Sequence, residues 1–132
     1  MKIIGTGSAH PTCAVTNQML EQFLETTDEW ITERTGIKER CVISSEHLED
    51  MAVHAANKAL EDAGLTAADI DFLICSNVVN EYVTPALSCI IQGKIGATCP
   101  TVDINAACAG FIYAMDMAED KLQCKKAKNI LI

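Results

Sequence analysis

From residue 70 onward the chain alternates short apolar runs with segments of helical period, and that alternation restricts the fold more than any other feature. Ile70 to Cys75 reads as a buried strand. Thr84-Pro85 is placed to cap and open a helix running to about Ile95, and Thr101 to Ile104 reads as a second strand. A helix from about Ala109 to Cys124 follows, with Phe111, Met115, Ala118 and Leu122 on one face, and Asn129 to Ile132 begins a third strand. Strands that alternate with helices are joined by right-handed crossovers, which gives a mostly parallel sheet. Lys2 to Gly7 is expected to supply an earlier strand of the same sheet.

The clearest helix lies upstream, from Leu48 to Ala63. There Leu48, Met51, Ala52, Ala55, Ala56, Ala59, Leu60 and Ala63 recur at i, i+3, i+4, i+7, with Ser45 to cap its start and Gly64 its end. An alanine-rich stripe lets the helix axis approach a neighbour closely. Two shorter helices are expected before it, from about Thr16 to Leu24 and from Thr27 to Arg34. The second carries a capping-box pattern in Thr26-Thr27-Asp28-Glu29 and ends at Gly36. With no repeat and no linker, residues 1–132 read as a single domain.

Ten Lys and Arg against 18 Asp and Glu give a net charge of −8, which repels a phosphate backbone and argues against a nucleic-acid partner. No apolar run approaches the roughly 20 residues of a membrane span. Met1-Lys2-Ile3-Ile4-Gly5 has no signal-peptide core, so a cytoplasmic location is expected. The sequence stops at Ile132 inside an apolar strand with no polar tail, so a cut molecule is expected.

The candidates for chemistry are few. Gly5-Thr6-Gly7 lacks the third glycine of a dinucleotide fingerprint, which would fall at His10, and Lys94-Ile95-Gly96 lacks the spacing of a phosphate loop. His10, His47 and His54 have no partner at metal-ligand spacing. The seven cysteines never fall two to four apart, so no metal site is expected and most thiols read as buried apolar groups.

Cys108 stands apart. In Asp103-Ile104-Asn105-Ala106-Ala107-Cys108-Ala109-Gly110-Phe111 it follows a strand and precedes a helix among small residues. Ligands of open α/β sheets gather beyond the carboxyl ends of the strands. Free N–H groups and the positive end of a helix dipole there favour a thiolate, and the same N–H groups can serve an oxyanion. The plainer alternative is a thiol that merely fills a tight helix start. Trp30, the only tryptophan, has Arg34 four residues on. That pair suits either a nucleobase with its phosphate or a core anchor.

Gly5-Thr6-Gly7-Ser8, Thr27-Asp28-Glu29-Trp30, Arg34-Thr35-Gly36-Ile37-Lys38-Glu39-Arg40 and Ala106-Ala107-Cys108-Ala109-Gly110-Phe111 together resemble the β-ketoacyl-acyl-carrier-protein synthase III family of thiolase-fold condensing enzymes. The resemblance runs through the whole chain and corresponds to the first of two similar halves of a family member. It implies a thiolase-like α/β fold with helices on both faces of the sheet, stopping before the last strand of that half.

It also implies that Cys108 takes an acyl group from an acyl-coenzyme A. Cys108 would then yield that group to a carbanion made by decarboxylating malonyl-acyl-carrier protein, at the start of fatty-acid synthesis. Coenzyme A thioester is then a substrate, no cofactor is permanently bound, and the complete form is a homodimer. Trp30 would stack on the adenine, with Thr26 and Arg34 near the phosphates. Thr84 would line the acyl pocket, where many members carry a bulky aromatic, which implies tolerance of starters longer or more branched than acetyl. The family's catalytic His and Asn match nothing here, so condensation by this chain alone is expected to fail. An open apolar face that promotes association is expected as well. Hydroxymethylglutaryl-coenzyme A synthases and plant-type polyketide synthases, which use a cysteine at a comparable turn, and a non-catalytic half-domain are the rival readings.

Overall fold

The computed structural model describes residues 1–132. They run as β1 (Cys13–Thr16), α1 (Asn17–Leu20), α2 (Asp28–Thr35), β2 (Glu39–Val42), α3 (Leu48–Ala63), β3 (Phe72–Ser76), α4 (Leu87–Ile95), β4 (Thr101–Ile104), α5 (Gly110–Gln123) and β5 (Ile130–Leu131), with single 3₁₀ turns at Ala67–Asp69 and Ala107–Ala109. Two compact units result, one made of Met1–Ala9 and Leu48–Ile132, the other of His10–His47.

In the larger unit the expected parallel sheet is present, in the order β4-β3-β5, with Leu73 opposite Thr101 and Ser76 opposite Ile104. Successive strand residues point to opposite faces, and β3 separates its apolar side chains accordingly. Leu73 joins Ala56 and Leu60 of α3 and Leu87 and Ile91 of α4 in one core. Ile74 packs with Ala114 and Ala118 of α5, flanked by Val102, Ile104 and Ile130, in the other. Leu73 and Ile74 are essentially inaccessible, and burial of this kind stabilises by about 1.5–3 kcal/mol per side chain. Helices therefore cover both faces.

Several sequence expectations need correction. Lys2 to Gly7 forms no strand. Instead it lies along α3: Thr6 N–H donates to Asp62 Oδ2 at 2.8 Å, and Lys58 Nζ donates to Ser8 O at 3.1 Å. A Cβ on Gly5 or Gly7 would strike the carbonyl oxygens of Ala59 or Ala55, so the Gly-x-Gly spacing serves a close approach to a helix. The buried stripe of α5 is Gly110, Ala114 and Ala118, whereas Phe111 is 53% exposed.

The caps differ too. α3 starts three residues beyond Ser45, whose N–H donates to the Glu46 carboxylate. α4 starts at Leu87 rather than at Thr84-Pro85. In α2 the N-cap is Thr27, with Trp30 at the third helical position, so its hydroxyl accepts from Trp30 N–H without an acidic residue to complete a box. Gly64 and Gly36 end their helices with φ of 65° and 73°, as expected.

The smaller unit contains an antiparallel pair, Cys13–Thr16 with Glu39–Val42, that the sequence did not suggest because neither run alternates apolar and polar residues. Its first helix ends at Leu20, short of Leu24. The fully buried residue of this unit is polar. Asn17 Nδ2 donates to Asp28 Oδ1 at 2.7 Å and to Ile37 O at 2.8 Å, while Asn17 Oδ1 accepts from Arg40 Nη2 at 2.6 Å. Hydrogen bonds take the place of an apolar core here.

Candidate active site

The carboxyl ends of β3 and β4 form one edge of the larger unit, and two polar side chains, Asn77 and Asp103, organise it. Asn77 N–H continues the ladder by donating to Ile104 O at 3.1 Å, and Asn77 Nδ2 donates to Asp103 Oδ2 at 2.9 Å. The Asp103 carboxylate also accepts from the N–H groups of Leu87 at 3.0 Å and Ser88 at 2.8 Å, so it caps α4 from a neighbouring strand. Partial burial pushes the Asp103 carboxyl up, but the hydrogen bonds from Ser88, Asn77 and Leu87 outweigh it and hold it below the usual carboxylate range. No local pattern announces such a cap, because its donors lie 15 and 16 residues away.

Beyond β4 the chain turns sharply. Ala107 has φ of 45°, in the left-handed region that costs an L-residue about 1–2 kcal/mol. Cys108 follows in the 3₁₀ turn, two residues before α5, and is exposed. Gly110 is fully packed, and a Cβ there would meet the Ser76 hydroxyl, so glycine lets α5 begin directly on the end of β3. Thr84 is also exposed, in the segment joining β3 to α4, among the exposed Val79, Tyr82 and Val83.

The remaining thiols are less uniform than expected. Cys41, Cys89 and Cys124 are exposed along with Cys108, and Cys99 is the buried one. Burial pushes the thiols of Cys75 and Cys99 up, toward the inert neutral form.

The other candidate residues gather in the smaller unit. The Arg34 guanidinium lies 5.0 Å from the centroid of the Trp30 ring, within cation–π range, and Trp30 is 54% exposed, so it is no core anchor. A hollow of about 650 Å³ is lined by Leu20, Leu24, Glu25, Thr26, Thr27, Trp30 and Ile31. The Thr26 hydroxyl in its wall is buried without a hydrogen-bond partner in the protein, a group suited to bonding a ligand. Trp30 and Thr26 thus share one hollow, with Arg34 against the indole.

A parallel sheet with helices on both faces and an exposed cysteine on the turn from strand to helix defines a thiolase-type half. The chain belongs to the thiolase N-terminal domain family, whose pattern matches residues 31–132. It is 47% identical over 132 residues to the β-ketoacyl-[acyl-carrier-protein] synthase III of Clostridium perfringens, covering 99% of this chain and 41% of that protein. Its fold superimposes on the crystal structure of 3-oxoacyl-[acyl-carrier-protein] synthase III from Aquifex aeolicus with a TM-score of 0.95 and 42% identity, covering 98% of this chain and 42% of the other. The priming β-ketosynthase of the R1128 polyketide pathway gives a TM-score of 0.91 at 36% identity, over 96% of this chain and 39% of its own length. The chain spans about two fifths of the length of these relatives.

Proposed function

We propose that this chain is the cysteine-bearing N-terminal portion of a β-ketoacyl-acyl-carrier-protein synthase III. The observation that carries the reading is the exposed Cys108 on the turn between β4 and α5. There its sulfur adds to the thioester carbonyl of an acyl-coenzyme A, an S–C bond forms, and the C–S bond to coenzyme A breaks as that thiolate leaves. Decarboxylation of a malonyl thioester on the carrier protein gives CO2 and a carbanion. The carbanion adds to the acyl-cysteine carbonyl, forming a C–C bond and releasing the Cys108 thiolate with the 3-oxoacyl product.

The Trp30–Arg34 pair and the Thr26 hydroxyl support a role in holding the nucleotide end of coenzyme A, by stacking, charge and hydrogen bonding. Thr84 is the proposed wall of the acyl pocket in a homodimeric complete form, and its small size favours branched or longer starters. No residue of the chain is assigned to the decarboxylation step. Loss of a positioned acid–base group costs about 10²–10⁴-fold, so the isolated chain is read as competent for acylation and not for condensation.

Intact-mass analysis after incubation with acetyl-, butyryl- and isobutyryl-coenzyme A tests the reading. One acyl adduct, absent in Cys108→Ala and formed faster with isobutyryl than with acetyl, is the expected result. Equal labelling of Cys41, Cys89 and Cys124 would remove the special role of Cys108, and a strong acetyl preference would remove that of Thr84.

A further inference from the structure

The smaller unit carries its ligand-binding candidates on α2, an eight-residue helix with no buried residue of its own. A helix without an apolar anchor must be located by something else. Besides the Asp28 N–H, which donates to Glu21 Oε1 at 2.5 Å, the connections that do so converge on one side chain. Asn17, fully buried at the first position of α1, donates to Asp28 Oδ1 at the start of α2 and to Ile37 O just beyond its end. Asn17 accepts from Arg40, whose other guanidinium nitrogen donates to Val15 O of β1 at 3.1 Å. Thr32, one turn into α2, adds a bond to Asp28 Oδ1 at 3.3 Å and accepts from Asn17 Nδ2 at 3.4 Å. Both ends of α2 are thereby pinned, through one amide, to the β1–β2 ribbon.

We infer that Asn17 is a positioning residue for the Trp30–Arg34 clamp: it touches no ligand, but it sets where α2 presents the indole and guanidinium. An amide is needed because both faces of the contact are used. Its NH2 serves three acceptors, the Thr32 hydroxyl at the longest distance, and its oxygen one cationic donor, a combination neither a carboxylate nor a hydroxyl reproduces. The inference rests on the reading of that clamp as a coenzyme A subsite, yet it can be tested apart from it, because Trp30 is the only tryptophan and its fluorescence reports on this helix alone.

Asn17→Asp sets a second carboxylate against Asp28; Asn17→Asp with Asp28→Asn exchanges donor and acceptor and restores the bond. In the 132-residue chain, well below the unfolding transition, the single variant is expected to lower Trp30 anisotropy, to raise its quenching by acrylamide, and to weaken free coenzyme A binding about tenfold. The double variant regains the bond between positions 17 and 28 but not the donation to Ile37 O, so it should recover part of each loss. If Asn17→Asp does not fold, as far-UV circular dichroism would show, Asn17→Ser and the double variant carry the comparison. Native-like anisotropy and coenzyme A affinity in the single variant would overturn the inference, as would a double variant no better than the single. If the unsubstituted chain shows no response to coenzyme A, the subsite reading fails, while the ligand-free anisotropy and quenching still decide the role of Asn17.

Discussion

The backbone just before Cys108 is where one residue's conformation bears most directly on the proposed chemistry. Ala107 sits at φ 45°, a region alanine occupies only when its surroundings over-determine it. The left-handed residue produces the reversal that brings the thiol out of the line of β4 and into solvent ahead of α5. Glycine takes this φ without the steric cost of a Cβ, although it gives up more entropy on folding. Ala107→Gly is therefore expected to stabilise the chain by about 0.5–1 kcal/mol, read as a higher urea midpoint, and Ala107→Val to destabilise it. The rate of Cys108 alkylation relative to Cys124 should stay unchanged in the glycine variant. A glycine variant less stable than the parent would show that the turn does not hold Ala107 in a strained state.

Among the elements, α4 depends on a partner outside itself. Its N-terminus has no side-chain cap of its own, and the N–H groups of Leu87 and Ser88, both buried, are served by Asp103. Asp103→Ala strands both donors in the interior, which is expected to cost about 2–4 kcal/mol, with Asp103→Asn intermediate because it retains one acceptor. Urea titration followed by circular dichroism measures both, and an alanine variant within error of the parent would mean water replaces the carboxylate. This cap also shows where sequence reading stops. The limits of α3 and β4 and the parallel crossovers were legible because they rest on local period and on chain-direction rules. Cys108 was legible as a candidate because a strand, small residues and a helix adjoin it. Asp103 and Asn17 were not, since their partners are brought together only by folding, and neither was the β1–β2 ribbon, whose residues have no apolar face to alternate. Lys2 to Gly7 was misread because an apolar run with glycines looks the same whether it joins a sheet or lies on a helix.

For the whole molecule, the ionisable groups set a common window of stability. Glu46 accepts from Thr12 N–H at 2.8 Å and Thr12 Oγ1 at 2.6 Å, and further from Ser44 and Ser45. These bonds, the Thr12 hydroxyl first, hold its carboxyl far below the usual range. Asp69 is lowered by the Thr66 hydroxyl and N–H, and Asp71 by the N–H groups of Lys128 and Asn129 at 2.7 and 3.1 Å, which fix the approach to β5. A carboxyl lowered on folding contributes stability that is present above its unfolded value, about 4, and is lost as pH falls through the folded one. At the other end Cys75 and Cys99 are raised by burial, so the folded chain favours the neutral thiol and loses stability once the unfolded thiols ionise above about 8.5. Lys94 is raised chiefly by its bond to Asp50 at 2.5 Å, and its contribution disappears at still higher pH. The urea midpoint is therefore expected to be flat between about pH 5 and 8 and to fall on both sides. Asp71→Asn should lower the plateau and flatten the acid limb, because the amide still accepts one bond but no longer takes up a proton on unfolding. A midpoint that rises as pH drops from 5 to 3 would contradict the assignment, since it would require carboxyls that are raised on folding rather than lowered.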